Sequence, residues 1–274
     1  MPRGLVGQWL ERPHYEVLPL PWVRQVVRDN LEPGTFVTVT SSPSRGMEAT
    51  VELTEALTAD GYSVVPHLAA RAMDDEERLL RIVERLDHVG VRDVFVVGGD
   101  NPMWAGPYES GVELLAALRT LGHPFTDIGV PAYPEGHPTI DDATLWRALV
   151  EKQRDATYVV TQMCFSAETI AAWAGTARHH GVRLPMRVGI PGLVQRRRLA
   201  LMTVRIGVGD SARFLRKQSM SLARLLRPGG YSPTPLVRRL ARLPDTPIVG
   251  LHLYTFNQIE RTARWAREHA GALP

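Results

Sequence analysis

The sequence predicts an α/β fold, a TIM (β/α)8 barrel with an extra helical segment between strands 7 and 8. Eight short β-rich runs each lead into a stretch with helical spacing. The runs are almost continuously apolar, as strands must be when helices cover a parallel sheet. A length of 274 residues suits a barrel of this kind, which typically needs ~250. The side chains able to do chemistry gather where the runs end, which is the face on which such barrels carry their active sites. An enzyme is therefore expected.

Residues 1–13 read as an irregular lead-in. Strands are expected at Tyr15–Leu18, Thr35–Thr40, Ser63–His67, Asp93–Val97, Asp127–Ala132, Tyr158–Gln162, Met186–Ile190 and Ile248–His252. A short helix over Pro21–Asn30 follows the first strand, and Glu32-Pro33-Gly34 ends it, because proline and glycine do not continue a helix. Asp74-Asp75-Glu76-Glu77 opens a later helix, where carboxylates meet the positive end of the dipole, and Leu79, Leu80, Ile82, Val83 and Leu86 supply its apolar stripe. The stretch from Val194 to Pro247 is too long for one connection. Helices are expected there at Gln195–Arg205 and Ser211–Arg227, with a loop over 228–235. Arg196, Arg197, Arg198, Arg213, Arg216 and Lys217 form either a solvated helix face or a contact for an anionic substrate tail. No linker divides the chain, so residues 1–274 are expected to form one barrel domain.

Composition narrows the function classes. The 32 basic and 29 acidic residues give a net charge of +3 on a mixed surface, so nucleic acid is not demanded. Cys164 is the only cysteine, which excludes an intramolecular disulfide and any cysteine-based metal site and suits a reducing cytoplasm. The N-terminus lacks a signal-peptide core, and no apolar run approaches the ~20 residues that span a bilayer. A soluble, cytoplasmic protein is expected, with no membrane partner and with a homo-oligomer left open.

The strand ends carry the motifs. Val97-Gly98-Gly99-Asp100 passes from a buried strand to two glycines and a carboxylate, an arrangement that lets backbone approach a flat ligand. Ala132-Tyr133-Pro134-Glu135-Gly136-His137-Pro138 offers an aromatic ring, a carboxylate and an imidazole on a proline-stiffened loop, where Tyr133 and His137 can stack on a ring. Gln162, in Thr161-Gln162-Met163-Cys164-Phe165, presents both a donor and an acceptor. Glu16 places a carboxyl in an apolar strand, where desolvation should suit it to general-acid chemistry, unless an arginine in the core pairs with it. His67 and His252 lack metal-ligand spacing and read as hydrogen-bonded imidazoles. A dinucleotide fingerprint, a phosphate-binding loop of the NTPase kind and a GxSxG elbow are all missing.

Taken in order, Tyr15-Glu16-Val17-Leu18-Pro19, Phe36-Val37-Thr38-Val39-Thr40, Pro66-His67-Leu68, Gly99-Asp100, Tyr133-Pro134-Glu135-Gly136-His137-Pro138, Thr161-Gln162 and His252-Leu253-Tyr254-Thr255-Phe256-Asn257 resemble the methylenetetrahydrofolate reductase family over nearly the whole chain. The resemblance implies a barrel holding FAD, and hydride transfer from NADH or NADPH to 5,10-methylenetetrahydrofolate to give 5-methyltetrahydrofolate. By position it assigns Glu16 as the acid and Asp100 to both catalysis and pterin binding, with Gln162, Tyr254 and Phe165 also on the folate side. It assigns Thr40, His67, Gly99, Asp100, Tyr108, Ala132, Tyr133, His137 and Lys152 to the flavin. The chain departs from the family pattern at Gly98, where an arginine is usual, at Ser41-Ser42-Pro43, and along Leu145–Glu151, which keeps little polar character before Lys152. Three alternatives stay open: direct transfer from nicotinamide without flavin, a folate-binding protein that needs a partner, and physiological operation in the oxidative direction.

Overall fold

A computed structural model describes residues 5–42, 44–99, 106–137, 139–193, 231–243 and 247–270. Eight parallel strands form a closed barrel in chain order: β1 (His14–Val17), β2 (Phe36–Val39), β3 (Ser63–Ala69), β4 (Asp93–Val97), β5 (Asp127–Ala132), β6 (Tyr158–Thr161), β7 (Met186–Pro191) and β8 (Ile248–Tyr254), with β8 pairing back to β1. Around them lie α1 (Leu5–Glu11), α2 (Val23–Asn30), α3 (Gly46–Ala59), α4 (Glu76–His88), α5 (Gly111–Leu121), α6 (Asp142–Lys152), α7 (Ala167–His179), α8 (Thr234–Leu240) and α9 (Ile259–Ala270). The barrel expected from the sequence is the fold.

The helices start where the sequence supplies acceptors for their first N–H groups. Asp75 accepts from the Arg78 N–H at the head of α4, Asp141 from the Thr144 N–H at α6, and Ser166 from the Thr169 N–H at α7. Ser110 and Glu113 close a reciprocal capping box on α5. In α4 the buried positions are Leu79, Ile82, Val83 and Leu86, a stripe at helical spacing. Leu80, expected in that stripe, is instead 39% exposed. It lies about 100° around the helix from Leu79 and so faces away.

Strand alternation sorts the side chains into two cores. The outward residues, such as Val37, Val39, Val94, Val96, Val188 and Leu253, pack with the helices into one large cluster. Val65, Phe95, Tyr158 and Val160 form a smaller cluster in the barrel interior, with Phe36 and Val97 against it. Gly129 lies in register between Phe95 and Tyr158. A Cβ there would come within 2.5 Å of the Tyr158 ring and 2.6 Å of the Phe95 ring, so this position has to be glycine for both rings to fill the interior.

The irregular lead-in expected over residues 1–13 holds a helix among its described residues. Residues Leu5–Glu11 form α1, which buries Val6, Trp9 and Leu10 and packs on α9 and β8. Seven residues hold too few periods for spacing to reveal a helix, and its stability comes from that packing. α8 begins at Thr234, inside the stretch read as a loop, with a proline in its first turn. The helices expected at Gln195–Arg205 and Ser211–Arg227, with the basic cluster they carry, lie outside the described residues.

Candidate active site

The C-terminal mouth of the barrel is organised around Glu16. Along β1, Tyr15 and Val17 turn outward into the large cluster; His14 and Glu16 therefore face the interior. Barrel closure sets β1 beside β8, with His14 opposite His252 and Glu16 opposite Tyr254. The His252 Nε2 lies 3.0 Å from Glu16 Oε2, with the imidazole side chain 3% exposed and the carboxylate side chain 17% exposed. The partner of this interior carboxyl is thus an imidazole, not the arginine that sequence reasoning allowed for.

The turn after β8 grips the end of β1. The Thr255 hydroxyl donates to the Glu16 carbonyl at 2.5 Å. The Leu18 N–H donates to Asn257 Oδ1 at 2.8 Å, and Asn257 Nδ2 donates back to the Leu18 carbonyl at 3.2 Å. Phe256 and Asn257 hold φ of 50° and 57° to make this possible. Left-handed backbone is disfavoured for side chains other than glycine, although asparagine tolerates it better than most. Two strained residues are therefore held in place by the grip on β1.

Polar atoms along β2 and β3 and after β6 are buried without a hydrogen-bond partner: Thr38 Oγ1, Thr40 Oγ1, His67 Nε2 and Gln162 Oε1. Buried polar atoms are nearly always satisfied, so several at one barrel mouth mark a place for a polar ligand or water. Gln162 is fixed through its backbone N–H on the Ala132 carbonyl at 2.7 Å. The His67 ring leans on Phe95, with centroids 4.7 Å apart. Burial pushes its pKa down to about 4, so the imidazole is neutral and offers a hydrogen bond rather than a charge.

Three further positions border this end. On the loop after β5, the Tyr133 ring meets His137 edge-on at 5.0 Å, with both residues partly exposed. At Gly99, φ is 86°, and a Cβ would sit 3.2 Å from the Ala69 Cβ, so this strand end passes close to its neighbour. Lys152 at the end of α6 reaches the first turn of α5, where Nζ would lie 3.5 Å from a Cβ on Gly111 and the Val97 backbone is equally near. Burial alone lowers its pKa to about 8, and no carboxylate pairs with it among the described residues.

Other expected site residues sit differently. Ala132 turns its side chain outward into the large cluster, and Tyr108 is buried there too, so neither side chain faces the interior. Tyr254 is partly exposed at the mouth, but its hydroxyl is committed to the Thr161 carbonyl at 3.2 Å. Phe165 packs edge-on against Tyr231, with centroids 5.5 Å apart. Cys164 is fully buried, with its thiol pushed up to about 12 by that burial, which leaves it without thiolate character. Asp100 lies outside the described residues. No group of three or more histidine, cysteine or acidic side chains suited to a metal occurs among the described residues, and no helix there is long and apolar enough to cross a membrane. A cavity of about 550 Å³ lined by Arg28, Glu32, Asp60, Tyr62 and Arg267 lies at the opposite end, among the helix-to-strand loops.

The family model of methylenetetrahydrofolate reductase matches residues 22–207. The chain belongs to this family. It is similar to methylenetetrahydrofolate reductase 1 of Schizosaccharomyces pombe, 24% identical over 229 residues, which are 76% of this chain and 35% of that protein. It is also similar to methylenetetrahydrofolate reductase 2 of the same yeast, 26% identical over 121 residues, which are 39% of this chain and 19% of that protein. The chain thus spans about a third of the length of the first of these relatives. A solved chain from Burkholderia cenocepacia J2315 overlays 89% of this chain and 99% of its own length, at 18% identity and a TM-score of 0.42.

Proposed function

We propose that this reductase-family chain reduces 5,10-methylenetetrahydrofolate to 5-methyltetrahydrofolate with NADH or NADPH as hydride donor. The observation that carries the reading is Glu16. Its carboxyl faces the barrel interior at the mouth with one oxygen held by His252, while Gln162 Oε1, after β6, is buried without a hydrogen-bond partner. A carboxyl held by one oxygen is a suitable general acid, and an amide with an open acceptor suits a pterin rich in N–H groups. In this reading Glu16 protonates the folate as its five-membered ring opens. Gln162, together with Asp100, orients the pterin, and the exposed face of Tyr254 bounds the folate on the β8 side.

FAD is the cofactor that family membership brings to the proposal; when bound, it would relay hydride from nicotinamide to folate. The residues present fit such a group in part. Thr40 Oγ1 and His67 Nε2 are buried and open to a ligand, and Lys152 brings an uncompensated ammonium to the head of α5, where a helix N-terminus also favours phosphate. With Gly99, Asp100, Tyr133 and His137, these are the residues that would hold it, whereas the side chains of Tyr108 and Ala132, packed in the outer cluster, would not. Gly98 supplies no charge. That gap favours a second reading, direct transfer from nicotinamide to folate, in which Glu16 and Gln162 keep their roles.

The test is kinetic and spectroscopic. Glu16→Gln is expected to lower turnover at least ~100-fold, within the range that a positioned acid contributes, while folate binding changes little. Undiminished turnover in that variant overturns the acid assignment. Flavin absorption near unit occupancy in the purified protein supports the FAD relay. A protein that stays colourless with added FAD and still oxidises NADH with the folate supports direct transfer.

A further inference from the structure

The end of β8 bears on the Glu16 carboxyl through the imidazole of His252. Nε2 of His252 meets Glu16 Oε2 at 3.0 Å, while the imidazole's other nitrogen, Nδ1, is buried with no partner. A proton on Nδ1 would be an N–H stranded without an acceptor, whereas a proton on Nε2 is received by the carboxyl. The imidazole is therefore the Nε2–H tautomer and donates to Oε2. An oxygen that accepts this bond is not the one that carries the acid proton, which belongs on Oε1, an atom with no hydrogen bond among the described residues.

The ring that makes this choice is itself held. Tyr254 lies edge-on to His252, with centroids 5.0 Å apart and planes at 65°. Its hydroxyl is tied to the Thr161 carbonyl, and its ring lies over Gly189, where a Cβ would come within 2.7 Å. His14, the register neighbour of His252, stacks on Phe36 at 4.6 Å. Burial depresses the pKa of His14 and of His67, so neither ring competes as a cation for the carboxylate.

We propose that His252 is the positioning residue of the acid: its Nε2–H on Oε2 directs the transferable proton of Glu16 to Oε1 at the mouth, and Tyr254 sets the angle of the imidazole. This rests on the reading of Glu16 as the acid. As the folate ring opens, the bond from the methylene carbon to one ring nitrogen breaks, and its electron pair stays on that nitrogen and takes the proton from Oε1. The carbon becomes an iminium with the other nitrogen and accepts the hydride that the reduced nicotinamide supplies, directly or by relay. The carboxylate regains its proton from solvent, and His252 keeps its own throughout.

Turnover is measured as NADH oxidation with 5,10-methylenetetrahydrofolate for His252→Leu, His252→Gln and each combined with Glu16→Gln. Removing the donor with His252→Leu is expected to lower kcat ~10–100-fold, a share of what a positioned acid supplies, with the folate KM little changed. His252→Gln, which retains an N–H, recovers most of that loss. In the Glu16→Gln background His252→Leu costs nothing further, because its target is gone. An equal loss in both backgrounds, or a change confined to KM, overturns the proposal. Histidine-selective nitrogen NMR of the unliganded protein separates the two readings. Turnover that survives Glu16→Gln removes the acid, whereas a His252 signal protonated at Nδ1, or one indifferent to Glu16→Gln, removes the pairing argued here whatever the kinetics show.

Discussion

Asp93 opens β4 at the end of the barrel opposite the active-site mouth, where it accepts the Tyr158 hydroxyl at 2.9 Å. Burial raises its pKa from the ordinary 3.8 to about 7, with Asp127 adding to the shift and the Tyr158 bond and Arg187 opposing it. The guanidinium of Arg187 lies 5.9 Å from the Tyr158 ring centroid, and its Nη1 occupies the space a Cβ on Gly250 would need, at 2.6 Å. A carboxyl whose folded pKa is raised binds its proton more tightly in the native state. Its contribution is thus favourable at low pH and lost as pH rises from about 4 to about 7. Asp93→Asn, which keeps an acceptor for Tyr158, is expected to match the wild type near pH 4. It should exceed it by about 1–3 kcal/mol near pH 8. Urea unfolding at both pH values checks this, and an Asn variant less stable at the higher pH contradicts it. None of this was legible in the sequence, because Asp93, Tyr158 and Arg187 are brought together only by barrel registration. Glu16 was legible: a carboxyl inside an apolar strand stands out without any partner being known.

At the scale of elements, the stretch from His252 to Asn257 shows what a motif reading gains and misses. The sequence marked it as part of the site. The structure shows that much of it acts on β1, with Thr255 and Asn257 holding the Glu16 and Leu18 backbone. Asn257→Ala removes two hydrogen bonds and leaves alanine in a left-handed conformation, for an expected cost of about 1–3 kcal/mol. Asn257→Gly relieves the backbone and keeps only the loss of the bonds. Thermal melts should therefore rank wild type above Gly and Gly above Ala, and turnover should fall in both variants. Equal melting temperatures for all three would show that the turn does not hold β1. Helix starts were legible where an acceptor precedes an apolar stripe, as at Asp75. The helix α1 was not, since a single short amphipathic turn or two carries almost no periodic signal.

Over the whole molecule, closure decides which residues meet. β1 and β8 are the first and last strands in the chain, yet they pair, and this sets Glu16 against His252 across 236 residues. α1 covers the same seam by packing on β8 and α9, with Trp9 only 3% exposed. Trp9→Ala is expected to destabilise the fold by about 3–5 kcal/mol, as for other buried tryptophans, and to lower the melting temperature accordingly. An unchanged melting temperature would return residues 1–13 to the status of a loose lead-in.

The sequence by itself determined the strand order, the class of barrel, the start of α4 and the residue types at the strand ends. All of these follow from local alternation, helical spacing and capping, which are written within a few residues of one another. Only the tertiary structure decided that Glu16 pairs with an imidazole, that Asp93 is half-buried beside Tyr158, that Ala132 and Tyr108 turn away from the interior, and that α1 exists. Each of those depends on a neighbour supplied by chain closure or by packing between elements far apart in sequence, and no local pattern encodes which distant side chain will arrive.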